Sequence, residues 1–375
     1  MIDFVEIRNE ALTLIGIIDS AQSIIWRSTY YGTGDFEIYI QATRGTVDLL
    51  KVGYYVTRNN NPEVGIIESI EITDSYDEGR MIVAKGRFAK SILDRRHIYK
   101  LTGTVNTPTI LSGKVETALR QLVSNNAIDC TDTRRNIPLL ELGAEAGIDK
   151  VIIDESGNAA QKQVSYQNLL EYSESVLEEY GMAARVIYDD DDAKLQYVIF
   201  AGSDRSADNT AGNIPIVFSK DFDNLTESTY SYDTTDTKNA ALIGGEGEGL
   251  ERFYVLLESN AAGLERRETW VNASSINREY EDDSGTKQQY TDVEYSELLR
   301  TEGAADLAEK VVVESFEGSL DITNGIYTYG DDFDIGDIVT VQDNEIGKYI
   351  NVRISEITEV QDADGYKIDA VYSTK

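Results

Sequence analysis

The chain is 375 residues long and carries 34 basic against 67 acidic side chains, a net charge of −33. So acidic a protein is excluded from wrapping nucleic acid through Lys and Arg, and from seeking anionic membrane surfaces. One histidine, His97, and one cysteine, Cys130, exclude a disulfide framework, a multi-His zinc site and a Cys-cluster metal site, and leave any Ser-His-Asp triad a single base.

The length suggests two to three domains, and 41% hydrophobic residues suffice for real cores. With 29 glycines, 23 tyrosines and only 4 prolines, composition leans toward β structure. The start, MIDFVEIRNEALTLIG, has no basic region ahead of an apolar core, so no signal peptide is expected. No apolar run approaches the roughly 20 residues of a spanning helix, so no membrane anchor is expected. Charge is uneven: residues 1–100 are net −2, 101–200 net −8 and 201–375 net −23.

Residues 1–100 read as short strands. Asp35–Ile40 alternates, with Phe36, Ile38 and Ile40 on one face. Gly53–Arg58, Gly65–Ile72 and Met81–Ala84 follow, separated by the turns Asn59–Pro62 and Asp77–Gly79. This pattern suits a small barrel or sandwich. Residues 101–210 read as a compact α+β unit. Ser112 is expected to cap a helix carrying Glu116, Val115, Ala118, Leu119, Leu122 and Val123. A second helix is expected over Ser165–Tyr180, stopped by Gly181, then strands at Ala184–Tyr188 and Leu195–Phe200 around the turn Asp189–Asp192. Residues 211–375 return to strands at Ile214–Phe218, Phe253–Glu258, Gly336–Val341 and Tyr349–Ile354. A helical patch at Val293–Glu314, with Leu298, Leu299, Leu307, Val311 and Val312, interrupts them.

The chain echoes itself. A Gly53 strand, Ile67-x-x-Ile70-x-Ile72, the turn Asp77-Glu78-Gly79 and Met81-Ile82-Val83 occur early. A Gly336 strand, Ile354-x-x-Ile357-x-x-Val360, Asp364-Gly365 and Tyr366-Lys367-Ile368 occur late. Two unrelated three-stranded meanders could share this order. A true repeat implies two similar β-domains around an α+β unit, and repeated units serve to stack or to build rings.

Four stretches resemble the tail hub proteins of bacteriophages and phage tail-like particles, also called tail-associated or baseplate hub proteins. They are Trp26–Ile40 (WRSTYYGTGDFEIYI), Leu50–Ile98 ending GRFAKSILDRRHI, Ile214–Gly249 and Tyr329–Val360. The resemblance implies an α+β, β-dominated fold: two tube-type β-barrel domains, 1–100 and 211–375, an α+β domain at 101–210, and a helical insertion at about 265–315. It also implies a homotrimeric ring joining the tail tube to the tip or baseplate. The implied partners are the distal tail or tube protein, the tape-measure protein and tip or receptor-binding proteins. DNA would pass through the channel without specific binding. The implied location is the virion tail, assembled in the host cytoplasm. In many members of that family a longer C-terminal part carries a lytic or receptor-binding domain; this chain resembles the hub core alone, and no catalytic residue is implied.

Local motifs add little chemistry. Gly244–Gly249 (GGEGEG) lacks the P-loop lysine and carries phosphate-repelling acids, so it reads as a turn. Asp189–Asp192 lacks EF-hand spacing and reads as a solvated hairpin tip, as do Asp331, Asp332, Asp334 and Asp337. His97 after Asp94-Arg95-Arg96 reads as a structural cluster, and Cys130 as an inert thiol. Arg266 and Arg267 beside Trp270 fit an interface anchor as well as they fit a local ion pair. The expectation is a structural protein, not an enzyme, with no cofactor and no metal. The alternatives are a carbohydrate hydrolase using two carboxylates and a Ca²⁺- or glycan-binding β-module.

Overall fold

A computed structural model describes residues 2–76, 79–103, 105–154, 157–281, 286–320 and 326–374. The expected turn residues Asp77 and Glu78 lie outside the described residues.

Alternating side chains shape the first eight strands: β1 Val5–Arg8, β2 Leu14–Ile18, β3 Ser23–Thr29, β4 Asp35–Gln41, β5 Tyr55–Arg58, β6 Asn61–Ile66, β7 Ser69–Ser75 and β8 Gly79–Arg87. β3 buries Ile24, Trp26 and Ser28, and β4 buries Phe36, Ile38 and Ile40, every second residue in each case. The turn before β6 is shorter than the sequence suggests, because Asn60 takes a left-handed φ of 58° and Asn61 and Pro62 already belong to the strand.

The expected strand Gly65–Ile72 is two strands in two sheets. The break falls at Ile67–Glu68, where the layers touch. A Cβ on Gly86 would stand 1.7 Å from the Ile66 carbonyl oxygen, and one on Gly65 would stand 2.4 Å from the Phe36 ring. Only glycine lets the chain cross between sheets there.

One sheet holds β7, β8, β4 and β3, then Lys348–Asp362, Gly365–Ser373, Val313–Leu320 and Leu225–Asp233, in that lateral order. Every neighbouring pair in this eight-strand strip is antiparallel. Two further strands, Val217–Ser219 and Ile338–Asp343, attach through Lys348–Arg353. The strip contains one arrangement twice. Strands that come first, second, third and fourth in the chain (β3, β4, β7, β8) stand first, second, fourth, third. Leu225–Asp233, Val313–Leu320, Lys348–Asp362 and Gly365–Ser373 stand in the same order. The i, i+3 isoleucines have different causes in the two halves. Early, the chain changes sheets between Ile67 and Ile70. Late, a bulge after Ile354 inserts one residue, so Ile354 and Ile357 are both buried within one strand.

The second large sheet runs Leu140–Leu142, Lys194–Phe200, Ala183–Asp189, β6, β5, β1, β2, and a single residue pair, Ile187 with Glu63, joins its halves. Helix α1, Arg44–Leu49, is short, with a reciprocal cap between Thr43 and Thr46. Helix α2, Val115–Val123, starts after Lys114, whose side chain makes no capping bond. Ser112 is instead the last residue of the strand Thr109–Ser112, because that backbone pairs with Gln161–Val164. Helix α3, Leu169–Glu179, starts at Asn168, whose side chain accepts from the Leu170 and Glu171 amides. The chain leaves it through Gly181 at φ +60°. Between Leu225–Asp233 and Val313–Leu320 stands a separate small unit. Its sheet Ala240–Gly244, Tyr254–Leu257, Glu268–Asn272 packs on helix α4, Asp292–Glu309. α4 has a full capping box between Thr291 and Glu294, and Gly303 lets Ile243 approach closely. Val311 and Val312 fall beyond the helix end, since Val313 already begins a strand.

Among the described residues, four apolar clusters result. Trp26, Phe36 and Phe88 centre one behind the first half of the strip, and Phe218, Phe316 and Tyr372 another behind the second half. Leu119, Val176 and Tyr197 lie in the middle unit, and Ile243, Tyr295 and Leu299 in the small unit. The protein is thus α+β and dominated by strands.

Candidate interaction surface

The strip has one apolar face and one polar face, fixed by the registers above. The polar face carries Ser69, Glu71 and Thr73 of β7, Val83, Lys85 and Arg87 of β8, Tyr39, Glu37 and Asp35 of β4, and Ile25 and Arg27 of β3. It continues through Glu356, Thr358 and Val360, then Lys367, Asp369 and Val371, then Glu317, and ends on Glu227, Thr229, Ser231 and Asp233.

Its charge is divided. In the β3–β8 half, Glu71, Glu37 and Asp35 balance Lys85, Arg87 and Arg27. Lys85 lies 3.0 Å from Glu37, and Arg27 lies 2.9 Å from Asp35. Burial raises the Glu37 carboxyl, but the bonds from Tyr39 and Lys85 outweigh it and hold the group below its ordinary value. In the other half, Glu227, Asp233, Glu317, Glu356, Asp362 and Asp369 outnumber Lys367 and, at the far end of the strand, Arg353 opposite Ser373. Glu356 reaches Arg27 across the junction at 3.4 Å. Among the described residues, Glu227, Asp233, Glu317 and Asp369 form no ion pair, and all four are exposed.

The junction of the halves is the pairing of β3 with Glu356–Gln361. A buried ion pair pins it from the apolar side. Arg58, with its side chain 1% exposed, bonds Glu359, 4% exposed, and the Tyr366 hydroxyl donates to the same carboxylate. The Arg58 guanidinium stacks 5.2 Å from the Trp26 ring. Beside this pair opens a cavity of about 500 Å³ lined by Tyr327, Tyr329 and Tyr366.

The family model described as "Siphovirus ReqiPepy6 Gp37-like protein" matches residues 4–372. The chain belongs to this phage tail family. Solved structures share its fold. A tail protein from Neisseria meningitidis MC58 aligns with TM-score 0.58 at 13% identity, over 99% of this chain and 96% of that one. The 43 kDa tail protein of prophage MuSo2 from Shewanella oneidensis gives 0.55 at 14%, over 98% of each chain. Prophage tail protein gp18 from Listeria monocytogenes EGD-e gives 0.52 at 12%, over 99% of this chain and 94% of that one. No curated protein matches the chain by sequence.

In this tail protein the singled-out residues have structural surroundings. Arg266 sits between Glu258 and Glu268, 2.6 Å from each. Arg267 bonds the Thr234 carbonyl, and its amide donates to Asn239. Trp270, 48% exposed, lies on the open face of the small sheet under Arg252, beside Leu242. His97 is exposed, its Nδ1 lies 3.2 Å from the Tyr166 carbonyl oxygen, and burial pushes the Cys130 thiol up. In the late acidic cluster, Asp337 accepts from the Ser203 amide and Arg205, while burial raises the Asp334 carboxyl against the pull of Arg185. Gly244 and Gly245 fit beneath Trp270 and Tyr295, where a side chain would clash. Among the described residues, no group of three or more His, Cys, Asp or Glu is placed to hold a metal ion, and no helix is long and apolar enough to cross a membrane. The polar strip itself went unread in the sequence. Its alternation signals strands, but only long-range pairing shows that eight of them share one face.

Proposed function

We propose that this tail protein is a structural hub: three copies close into a ring that joins the tail tube to the tip and holds the central channel. The observation that carries this is the strip, with its one four-strand arrangement present twice, its polar face and, among the described residues, one open strand edge at each end. Unpaired edges favour pairing with another chain, and closure into a barrel removes them. Each half of the strip then acts as the sheet of one tube-type domain, the first drawn from residues 1–100 and the second from 211–375, with 101–210 and the small unit outside. Three copies offer six equivalent units to a sixfold tube.

The dimensions suit a conduit. About 24 strands spaced about 4.8 Å and tilted about 40° close into a backbone cylinder roughly 48 Å across. Side chains leave a lumen of roughly 35 Å, wide enough for duplex DNA and for a tape-measure protein. With the polar face inward, neutral sectors alternate with acidic ones, three of each. The acidic sectors repel phosphate, so DNA slides rather than sticks. The distal tail or tube protein and tip or receptor-binding proteins are the expected neighbours, and catalysis has no part in the role.

Light scattering behind size exclusion, with electron micrographs of the peak, tests this reading. Mass near three chains with annular particles is expected. A monomer without rings at every concentration and salt overturns it.

A further inference from the structure

The ring proposed above leaves its seam to be specified, and the inference that follows rests on that reading. We infer that copies join by strand addition: β7 of one copy pairs antiparallel with Leu225–Asp233 of the next, with Ser69 opposite Asp233 and Thr73 opposite Thr229.

The template lies within the chain. The two four-strand units are joined by pairing the last strand of one, Glu356–Gln361, with the first strand of the other, β3. Among the described residues, the strands with an open outer edge at the ends of the strip are again a last strand, β7, and a first strand, Leu225–Asp233. The seam between copies therefore repeats a junction that the chain already makes.

The register follows residue by residue. Each unit has a hairpin whose return strand opens on a glycine of positive φ, Gly79 at 74° and Gly365 at 109°. Aligning these glycines aligns two rows across the sheets. One row is Ser69, Lys85, Glu37, Ile25. The other is Glu356, Val371, Glu317, Thr229. At the internal junction Glu356 stands opposite Thr29 and Val360 opposite Ile25. Replacing each residue by its equivalent puts Ser69 opposite Asp233 and Thr73 opposite Thr229.

Three features of the free edges agree with this register, though none was used to obtain it. Directions alternate along the strip, and an even number of strands lets the next copy continue the alternation. Faces match: Glu71 meets Ser231 on the polar side, while Ile70 and Ile72 meet Tyr232 and Tyr230 on the apolar side. Ile72 is 49% exposed and Tyr232 60% exposed in the single chain, and the seam covers both. A one-residue slip would put these apolar groups against polar ones. Charges agree too, since no two like charges stand directly opposite. The seam differs from its template at one position. Where Glu359 faces Trp26 internally, Ile72 faces Tyr230, so the seam is apolar where the internal junction is ionic.

Oxidative cross-linking of the full chain tests the register. Directly opposite Cβ atoms stand about 5 Å apart, within disulfide reach after small adjustment. A partner four residues further along the strand is roughly 13 Å away. The paired variant carries Thr73→Cys and Thr229→Cys, the shifted control Thr73→Cys and Asp233→Cys. Native Cys130, 4% exposed, stays out of reach. The expected result is covalent dimers and trimers from the paired variant in non-reducing denaturing gels, and monomers from the control. Linking of the control instead, or a trimeric mass by light scattering with no link in the paired variant, overturns the register and leaves the ring standing. A monomeric mass with no ring particles and no link overturns the ring and the seam together.

Discussion

Replacing Glu359 by glutamine perturbs the junction of the two sheet halves where it is most heavily committed. The substitution keeps the side chain's size and an acceptor for the Tyr366 hydroxyl, and it removes one charge. Arg58 then keeps a guanidinium that is 1% exposed, with Trp26 on one side and no carboxylate in front of it. Breaking one partner of a buried pair costs about 3–5 kcal/mol, because the remaining ion stays desolvated. With a urea slope of about 3 kcal/mol/M, the midpoint should fall by roughly 1–1.7 M. Trp26 reports the transition directly, since it is fully buried within the same junction. A Trp270→Phe background makes it the sole tryptophan. The companion variant, Arg58→Met with Glu359→Leu, removes both charges and should return to within about 1 kcal/mol of the parent. A loss below about 1 kcal/mol for Glu359→Gln refutes the reasoning. So does a double variant as unstable as the two single losses added together.

Glu302 on α4 is held above the ordinary carboxylate value by burial, with Glu179, Asp306 and Glu309 adding to the rise against Lys162. A raised folded value stabilises fully below the unfolded value and loses that contribution as pH rises through the folded one. Glu302→Gln should therefore raise Tm at pH 8 and leave it nearly unchanged at pH 4, as read by calorimetry. Gly86→Ala should destabilise by at least about 3 kcal/mol, because its Cβ meets the Ile66 backbone 1.7 Å away and nothing there is a flexible side-chain end. Urea melts measure it, and a near-neutral result contradicts the glycine crossing. Neutralising Glu227, Asp233, Glu317 and Asp369 to their amides should keep the oligomer intact and increase retention of duplex DNA in low-salt gel-shift assays. Unchanged retention would remove the repulsive role of the acidic sectors.

The sequence alone determined much of the local structure. Alternation in Asp35–Ile40 and helical spacing through Leu169, Leu170, Val176 and Leu177 are periodic signals that burial imposes directly; the strand stands where it was read, while the helix starts at Leu169 rather than Ser165, because Tyr166 takes a left-handed φ of 65° and Asn168 caps the first turn. Family membership was also legible, since the resemblance drew on stretches throughout the chain. The charge asymmetry was visible as a gradient, net −2 early and −23 late. Tertiary structure decided where that gradient lands. Pairing Glu356–Gln361 with β3 joins residues more than three hundred positions apart into one sheet, and local periodicity carries no information about such a partner. The same long-range contacts split Gly65–Ile72 between two sheets and gave Ser112 to a strand. A backbone pairs or caps according to what lies beside it in space, and the sequence states only what lies beside it in the chain.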